Sequence, residues 1–366
     1  MKTDYQSKKL KKILFVCPYP ENIAAGQRLK FEPHFSRLEE LGYEVTAHNF
    51  MTLKLWNIIS KEGHTAHKIL GTLLGLLKRL QLLFSIRKYD CVYIFMNVFP
   101  FGPPILESLY VWFSKKVIFD VEDNMLSSEQ GSINWLASVL KSRTKIKFLL
   151  KNADYIIASS PDLVNQCNNI SGKNNARFIP PTLDEKRFIP KNKDSNLSEI
   201  VIGWTGTFSS KNFLEMIVPH LESLYEKRKF KLMVIGNFDY TNEKLDLEVI
   251  KWNEDHEIQQ LQNFDIGLYP LPSNDWVSGK SGLKAMQYMA IGIPAVCSAV
   301  GNVLTFIENN EDGVLVFNES EWIDVLTDLI DNAKKRDEIG KNARQKFLQN
   351  FSKETIFQKY LNIIDN

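Results

Sequence analysis

Four cysteines in 366 residues, at positions 17, 91, 167 and 297, stand far apart, with no CxxC pair and no histidine cluster nearby. That spacing argues against a disulfide framework and against a zinc site, and it implies a reducing compartment. An apolar leader is missing as well. The first residues, MKTDYQSKKLKK, are polar and basic and run straight into a strand, which predicts a chain that stays in the cytoplasm. The most apolar stretch, Ile69 to Ile86, is interrupted by Lys78 and Arg79 after nine residues and makes a poor spanning helix. No GxGxxG follows the first strand, so a dinucleotide-dependent dehydrogenase is disfavoured.

Overall charge is nearly balanced, with 45 Lys and Arg against 43 Asp and Glu, but its distribution is not. Residues 1–186 hold 25 basic and 17 acidic side chains, about +8, which leaves 20 and 26, about −6, for the remainder. A basic half that contains an apolar-basic helix suits an anionic membrane surface as partner. The alternative for Ile69 to Ile86 is a core helix with a solvated Lys/Arg edge.

Alternation of strand, loop and helix dominates what is present. Strands read at 13–20, 43–50, 91–97, 116–123, 154–160 and 176–181, with helices over Leu29 to Leu41, Pro104 to Ser114 and Ile133 to Lys151. The proline-punctuated stretch Pro180 to Glu199 reads as an interdomain linker. The alternation then restarts at 199–206 and runs through 230–237, 248–253 and 264–271 to a last helix over Lys353 to Ile364. The expected class is α/β, with two Rossmann-like halves built on parallel sheets.

In such sheets ligands bind beyond the carboxyl ends of the strands, so each strand-to-helix loop is a candidate contact. Gly26 and Arg28 follow the first strand, Asp120, Glu122 and Asp123 the fourth, and Gly206, Thr207 and Lys211 the first strand of the second half. A glycine admits a ligand to the backbone, and arginine pairs with phosphate or carboxylate. Each has a structural alternative as a turn, a surface ion pair or a helix cap. The loops are expected to converge on one cleft, and no metal is expected from a lone DxD.

Residues 279–301, GKSGLKAMQYMAIGIPAVCSAVG, carry the most information. A glycine-flanked lysine opens an amphipathic helix that ends at Gly292, and an apolar strand follows. The N–H groups around Gly279, Ser281 and Gly282, the positive end of the helix dipole, and the charges of Lys280 and Lys284 all favour a diphosphate.

With AAGQR, LDEKRFIP, GWTGTFSSKN and GKSGLKAMQYMAIGIPAVCS in place, the chain resembles a family 4 glycosyltransferase of the GT-B fold. QYMAIGIPAV is the sharpest match. The resemblance implies an acceptor-side domain over 1–185, a donor domain over 198–350 and a C-terminal helix, 351–366, packing back on the first. It implies transfer of a sugar, with retention and without a metal or other cofactor, from a nucleotide-sugar to a glycan or lipid-linked acceptor in surface polysaccharide synthesis. UDP is favoured over GDP, and no nucleic acid is involved.

Carried over by position, Gly279 to Gly282 and Lys280 hold the donor diphosphate, Lys211 is a basic helper, and Gln287 stands where relatives bond the ribose. The segment containing Lys251 and Trp252 lies where the base is seated, with Trp252 either stacking or packed in the core. Glu122 or Asp123 would orient the sugar or the acceptor hydroxyl. The chain departs from the pattern at both family glutamates, which are Gly279 and Gln287 here, and at an arginine expected near Thr207. Two other readings keep the fold: a nucleotide-sugar 2-epimerase, and a non-catalytic accessory subunit of a transferase.

Overall fold

Strands such as ILFVC and VIFDV are apolar at nearly every position, so both faces need cover, and parallel pairing with crossover helices supplies it. The computed structural model describes residues 11–122, 143–190, 199–274, 277 and 279–366. In it, two six-stranded parallel sheets carry helices on their crossovers.

The first sheet holds β1 (Lys12–Cys17), β2 (Glu44–Asn49), β3 (Cys91–Phe95), β4 (Val117–Val121), β5 (Tyr155–Ala158) and β6 (Ala176–Phe178), in the order β2-β1-β3-β4-β5-β6. Ile13 of β1 sits opposite Val45 on one side and Cys91 on the other. The second holds β7 (Val201–Gly206), β8 (Lys231–Gly236), β9 (Asp246–Lys251), β10 (Ile266–Tyr269), β11 (Ala295–Ser298) and β12 (Val314–Val316), in the order β12-β11-β10-β7-β8-β9. Strand order reverses direction at β1/β3 and at β7/β10. Those are the points where an open parallel sheet leaves a crevice at its carboxyl edge.

The chain divides into two compact units, residues 1–182 with 357–366, and residues 183–356. Each has its own core. Val16, Ile94, Phe119 and Leu149 belong to the first, and Trp204, Leu214, Ile266 and Trp322 to the second. Within the first unit, Phe357 and Tyr360 of the last helix, Lys353–Asp365, lie with their rings 5.5 and 5.0 Å from that of His34.

One local reading is corrected by the structure. The helix expected over Leu29 to Leu41 is broken: a turn at Ala25–Arg28 and a 3-10 turn at Glu32–His34 precede Phe35–Glu40. Pro33 has no N–H to give, and the buried Gln27 amide donates to the Glu32 carboxylate at 2.8 Å, which favours the tighter path. The expected linker spans the boundary between the units: Thr182 donates to the Lys30 carbonyl at 2.9 Å in the first, and the residues after it belong to the second. Leu183 and Phe188 are buried there, and Arg344 donates to the carbonyl of Phe188 at 2.6 Å. The helix over Ile133 to Lys151 is described only as Arg143–Asn152, its earlier part lying outside the described residues.

Candidate functional site

At the carboxyl edge of the first sheet, Gln27 fixes the loop after β1. Its side chain accepts from the Tyr19 N–H at 2.9 Å and donates to the Tyr19 carbonyl at 3.2 Å. Gly26 is thereby held against the loop after β4: a Cβ there would fall 2.0 Å from Oε2 of Glu122. Only glycine allows that approach. The Tyr19 hydroxyl is pushed up, first by burial and then by the Glu122 charge, and the Tyr19 ring packs edge-on to Trp56 at 5.3 Å. Arg28, half-buried, places its charge near Glu32.

Gly26 and Glu122 thus meet, with Arg28 two residues along the same turn, whereas Asp123 lies outside the described residues. Asp120 takes another role. It is buried at the end of β4, where Lys30 and the Tyr93 hydroxyl both donate to it, so it neither caps a helix nor faces a ligand.

The second unit shows the stronger arrangement, at the β7/β10 reversal. Past Gly206 the chain turns tightly, with the Thr207 N–H donating to Ser210 Oγ at 3.1 Å and the Phe208 N–H to Asn237 at 2.9 Å. A Cβ on Gly206 would meet the Trp204 ring at 2.2 Å. The turn delivers the N-terminus of the helix Lys211–Lys227. On the other side the loop after β10 delivers the N-terminus of Leu283–Ala290, whose cap residue Gly282 has φ +81°, a left-handed conformation that favours glycine. Asn302 donates to the Ser281 carbonyl at 2.6 Å and holds this loop, and the Tyr288 hydroxyl donates to the Leu268 carbonyl at 3.1 Å.

Lys284 lies where the two loops meet. Its ammonium is 3.4 Å from Ser210 Oγ and 4.5 Å from the centre of the Trp204 ring, with Tyr269 of β10 at 6.0 Å. Part of the side chain stays open to solvent, but dense packing around the ammonium, with the charge of Lys280 beside it, brings its pKa down to about 7. No carboxylate among the described residues pairs with it. Lys280 is held over the Phe213 ring at 5.8 Å, and Lys211 pairs along its own helix with Glu215 at 3.3 Å, a half-exposed contact that a phosphate could readily replace.

Two helix N-termini and the Lys284 ammonium therefore come together at the carboxyl edge of the second sheet. Such an arrangement has the chemistry to hold an anion. Gly206, Thr207, Lys211, Gly279, Lys280, Ser281, Gly282 and Lys284 all line these two loops.

One residue was missed by the sequence reading. Gln287 is buried and donates to Glu257 Oε1 at 3.1 Å, and the same oxygen accepts from Trp252 Nε1 at 3.3 Å. A carboxylate is thus supplied from a short helix, Glu257–Leu261, beside the amide that replaces a glutamate. Its only signal was its nearness in sequence to the Trp252 segment. Trp252 is 37% exposed and so is not part of the core, where Trp204 and Trp322 sit instead. Lys251 is exposed, and what it adds to the site is its carbonyl, which accepts from Gln260 at 3.4 Å.

Among the described residues no group of three or more His, Cys, Asp and Glu side chains is gathered to hold a metal. A cavity of about 110 Å³ lined by Lys12, Cys91, Lys116 and Asp365 lies at the opposite, amino edge of the first sheet, away from the loops after β1 and β4.

Known structures share this architecture. A glycosyltransferase from Rickettsia africae ESF-5 superposes with a TM-score of 0.70 at 14% identity, covering 97% of this chain and 98% of its own. Anabaena HepE, solved in complex with UDP, gives 0.63 at 15% identity over 97% and 99%. The chain has the GT-B fold. Within the GT-B frame, residues 185–346, just under half of the chain, match the family Glycosyl transferases group 1. A D-inositol 3-phosphate glycosyltransferase from Paenarthrobacter aurescens (strain TC1) is 36% identical over 64 residues, a match spanning 17% of this chain and only 16% of that relative's length.

Proposed function

We propose that the protein is a glycosyltransferase that takes its sugar from a nucleotide-sugar, with UDP favoured over GDP. The observation that carries the reading is Lys284, a desolvated ammonium without a described carboxylate partner, set at the β7/β10 reversal between two helix N-termini. Breaking the sugar-phosphate bond builds negative charge on the leaving diphosphate, and fixed positive groups in a poorly solvated crevice stabilise it most. Lys280, Lys284 and the N–H groups of the Gly282 turn fill that role, with Lys211 joining once it leaves Glu215. Glu257, held by Gln287 and Trp252, accepts from the ribose hydroxyls in place of the family glutamate, and the base lies along Lys251 and Trp252. The UDP bound to HepE supports the choice of nucleotide, and the group 1 match supports the reaction class.

In the first unit, Glu122, fixed against Gly26, with Arg28 two residues along the same turn, orients the acceptor hydroxyl or the donor sugar. Retention at the anomeric carbon, a cytoplasmic glycan or lipid-linked acceptor in surface polysaccharide synthesis, and independence from metal complete the reading. They rest on the family resemblance of the GKSGLKAMQYMAIGIPAV segment. A thermal-shift screen of nucleotide-sugars tests donor binding, since a ligand held by the folded state raises its stability by mass action. Product analysis by NMR then reads transfer and anomeric configuration. Lys280→Ala should lower turnover far more than Lys335→Ala, a surface lysine paired with Asp328; equal effects would sink the assignment.

A further inference from the structure

The helix Thr65–Leu83 is mounted inside out. Its one fully buried charged residue, Arg79, points inward, donating to the carbonyls of Val98 at 3.0 Å, His48 at 2.7 Å and Cys17 at 2.7 Å. The same side carries two glycines against which other side chains close: a Cβ on Gly75 would meet the Phe50 ring at 2.6 Å, and one on Gly71 would meet Leu55 at 2.9 Å. Arg79 and these close contacts fix the rotation of the helix about its axis. Most of its other apolar side chains are therefore held outward, while Leu76, Leu82 and Leu83 pack toward the core. Ile69, Leu70, Leu73, Leu74 and Leu77 are each 50% or more exposed, and Phe84, just past the helix, is 92% exposed.

A nearby helix, Ile105–Phe113, extends the apolar surface. Trp112 is 82% exposed beside Phe113, over whose ring Arg87 lies at 5.2 Å. Along this helix and the turn after it the charge has one sign. No acidic residue occurs from Gly63 to Tyr89, while Lys78, Arg87 and Lys88 are exposed. Among the described residues no helix is long and apolar enough to cross a membrane. An outward leucine face with basic edges and exposed aromatics instead matches the boundary between lipid headgroups and acyl chains.

We infer that this face docks the protein on the surface of an anionic bilayer, the helix lying in the plane of the headgroups. The inference concerns the first unit only and is independent of the donor assignment in the second. A soluble protein partner would match the leucines but would not call for basic residues without acidic ones; an anionic lipid surface calls for both.

The test is flotation of the full chain with phosphatidylcholine vesicles, with and without about one-third phosphatidylglycerol. The wild type should float with the anionic vesicles and be released by high salt. Leu73→Glu/Leu77→Glu should weaken binding by roughly a hundredfold at an unchanged melting temperature, because both side chains are already exposed. Leu70→Ser/Leu74→Ser repeats that arm without adding charge, and Lys78→Gln/Lys88→Gln should weaken binding about tenfold. The inference is overturned if the wild type stays in the dense fraction, if the variants float as it does, or if the leucine face proves to hold a second copy of the chain. In that last case light scattering would show a dimer that Leu73→Glu/Leu77→Glu splits, with no vesicle binding.

Discussion

Lys284 gives the donor site a pH signature that can be worked out in advance. With its pKa near 7 in the ligand-free protein, the ammonium is about half protonated at pH 7 and roughly one-tenth protonated at pH 8. A bound diphosphate favours the charged form and raises that pKa toward the ordinary lysine range near 10.5. Affinity for a nucleotide-sugar should therefore fall about tenfold between pH 6 and pH 8, and binding at pH 8 should take up about 0.9 proton. The nucleotide-sugar is the right ligand, because its diphosphate is esterified at both ends and does not titrate in this window.

Calorimetry in buffers of different ionisation enthalpy measures the affinity and the proton uptake together. Lys284→Met should bind ten- to about a hundredfold more weakly at pH 6, in line with loss of a charge-assisted hydrogen bond, and its affinity should be flat with pH. A flat profile in the wild type, or an equal slope in the variant, would refute the assignment. The same group fixes the sign of a stability effect. The unfolded chain holds this proton up to about pH 10.5 and the folded chain only to about 7, so the unfolded state binds more protons in between. The ligand-free protein should gain stability from this group as pH rises through that window, and Lys284→Met should lack the gain.

Three further substitutions separate chemistry from stability. Gly26→Ala pushes a methyl into the Glu122 carboxylate, the movable end of a flexible side chain, so the melting temperature should barely change while kcat falls; unchanged turnover would remove Glu122 from the site. Asp120→Asn leaves the buried Lys30 without its counter-charge and should cost ~3–5 kcal/mol in denaturant unfolding; a loss below about 1 kcal/mol would show that the pair is not needed. Arg79→Met strips donors from three carbonyls, two of them buried, and should cost on the order of 3 kcal/mol, read from the shift in urea midpoint, with wild-type stability as the contradicting result.

Much of this was legible because it depends on local rules. Apolar runs separated by helical spacing reveal a parallel α/β fold, and a glycine-lysine loop before a helix marks a candidate anion site whatever surrounds it. Long-range partnerships were not legible. Asp120 and Glu122 look equivalent in DVE, yet one pairs with Lys30, 90 residues away, and the other packs on Gly26. Glu257 could not be matched to Gln287 before the fold brought a short helix beside a longer one. Nor does periodicity say which face of Thr65–Leu83 turns inward. A leucine stripe ordinarily seeks the core, and here a buried arginine and two glycines take that side.

The donor site is tested most directly by a crystal structure of the protein with UDP bound. The account predicts the diphosphate at the β7/β10 reversal, with an oxygen within hydrogen-bonding distance of Lys284 Nζ and others facing the N–H groups of the Gly282 turn. A diphosphate held by any other loop, with Lys284 left without an anion, would contradict it.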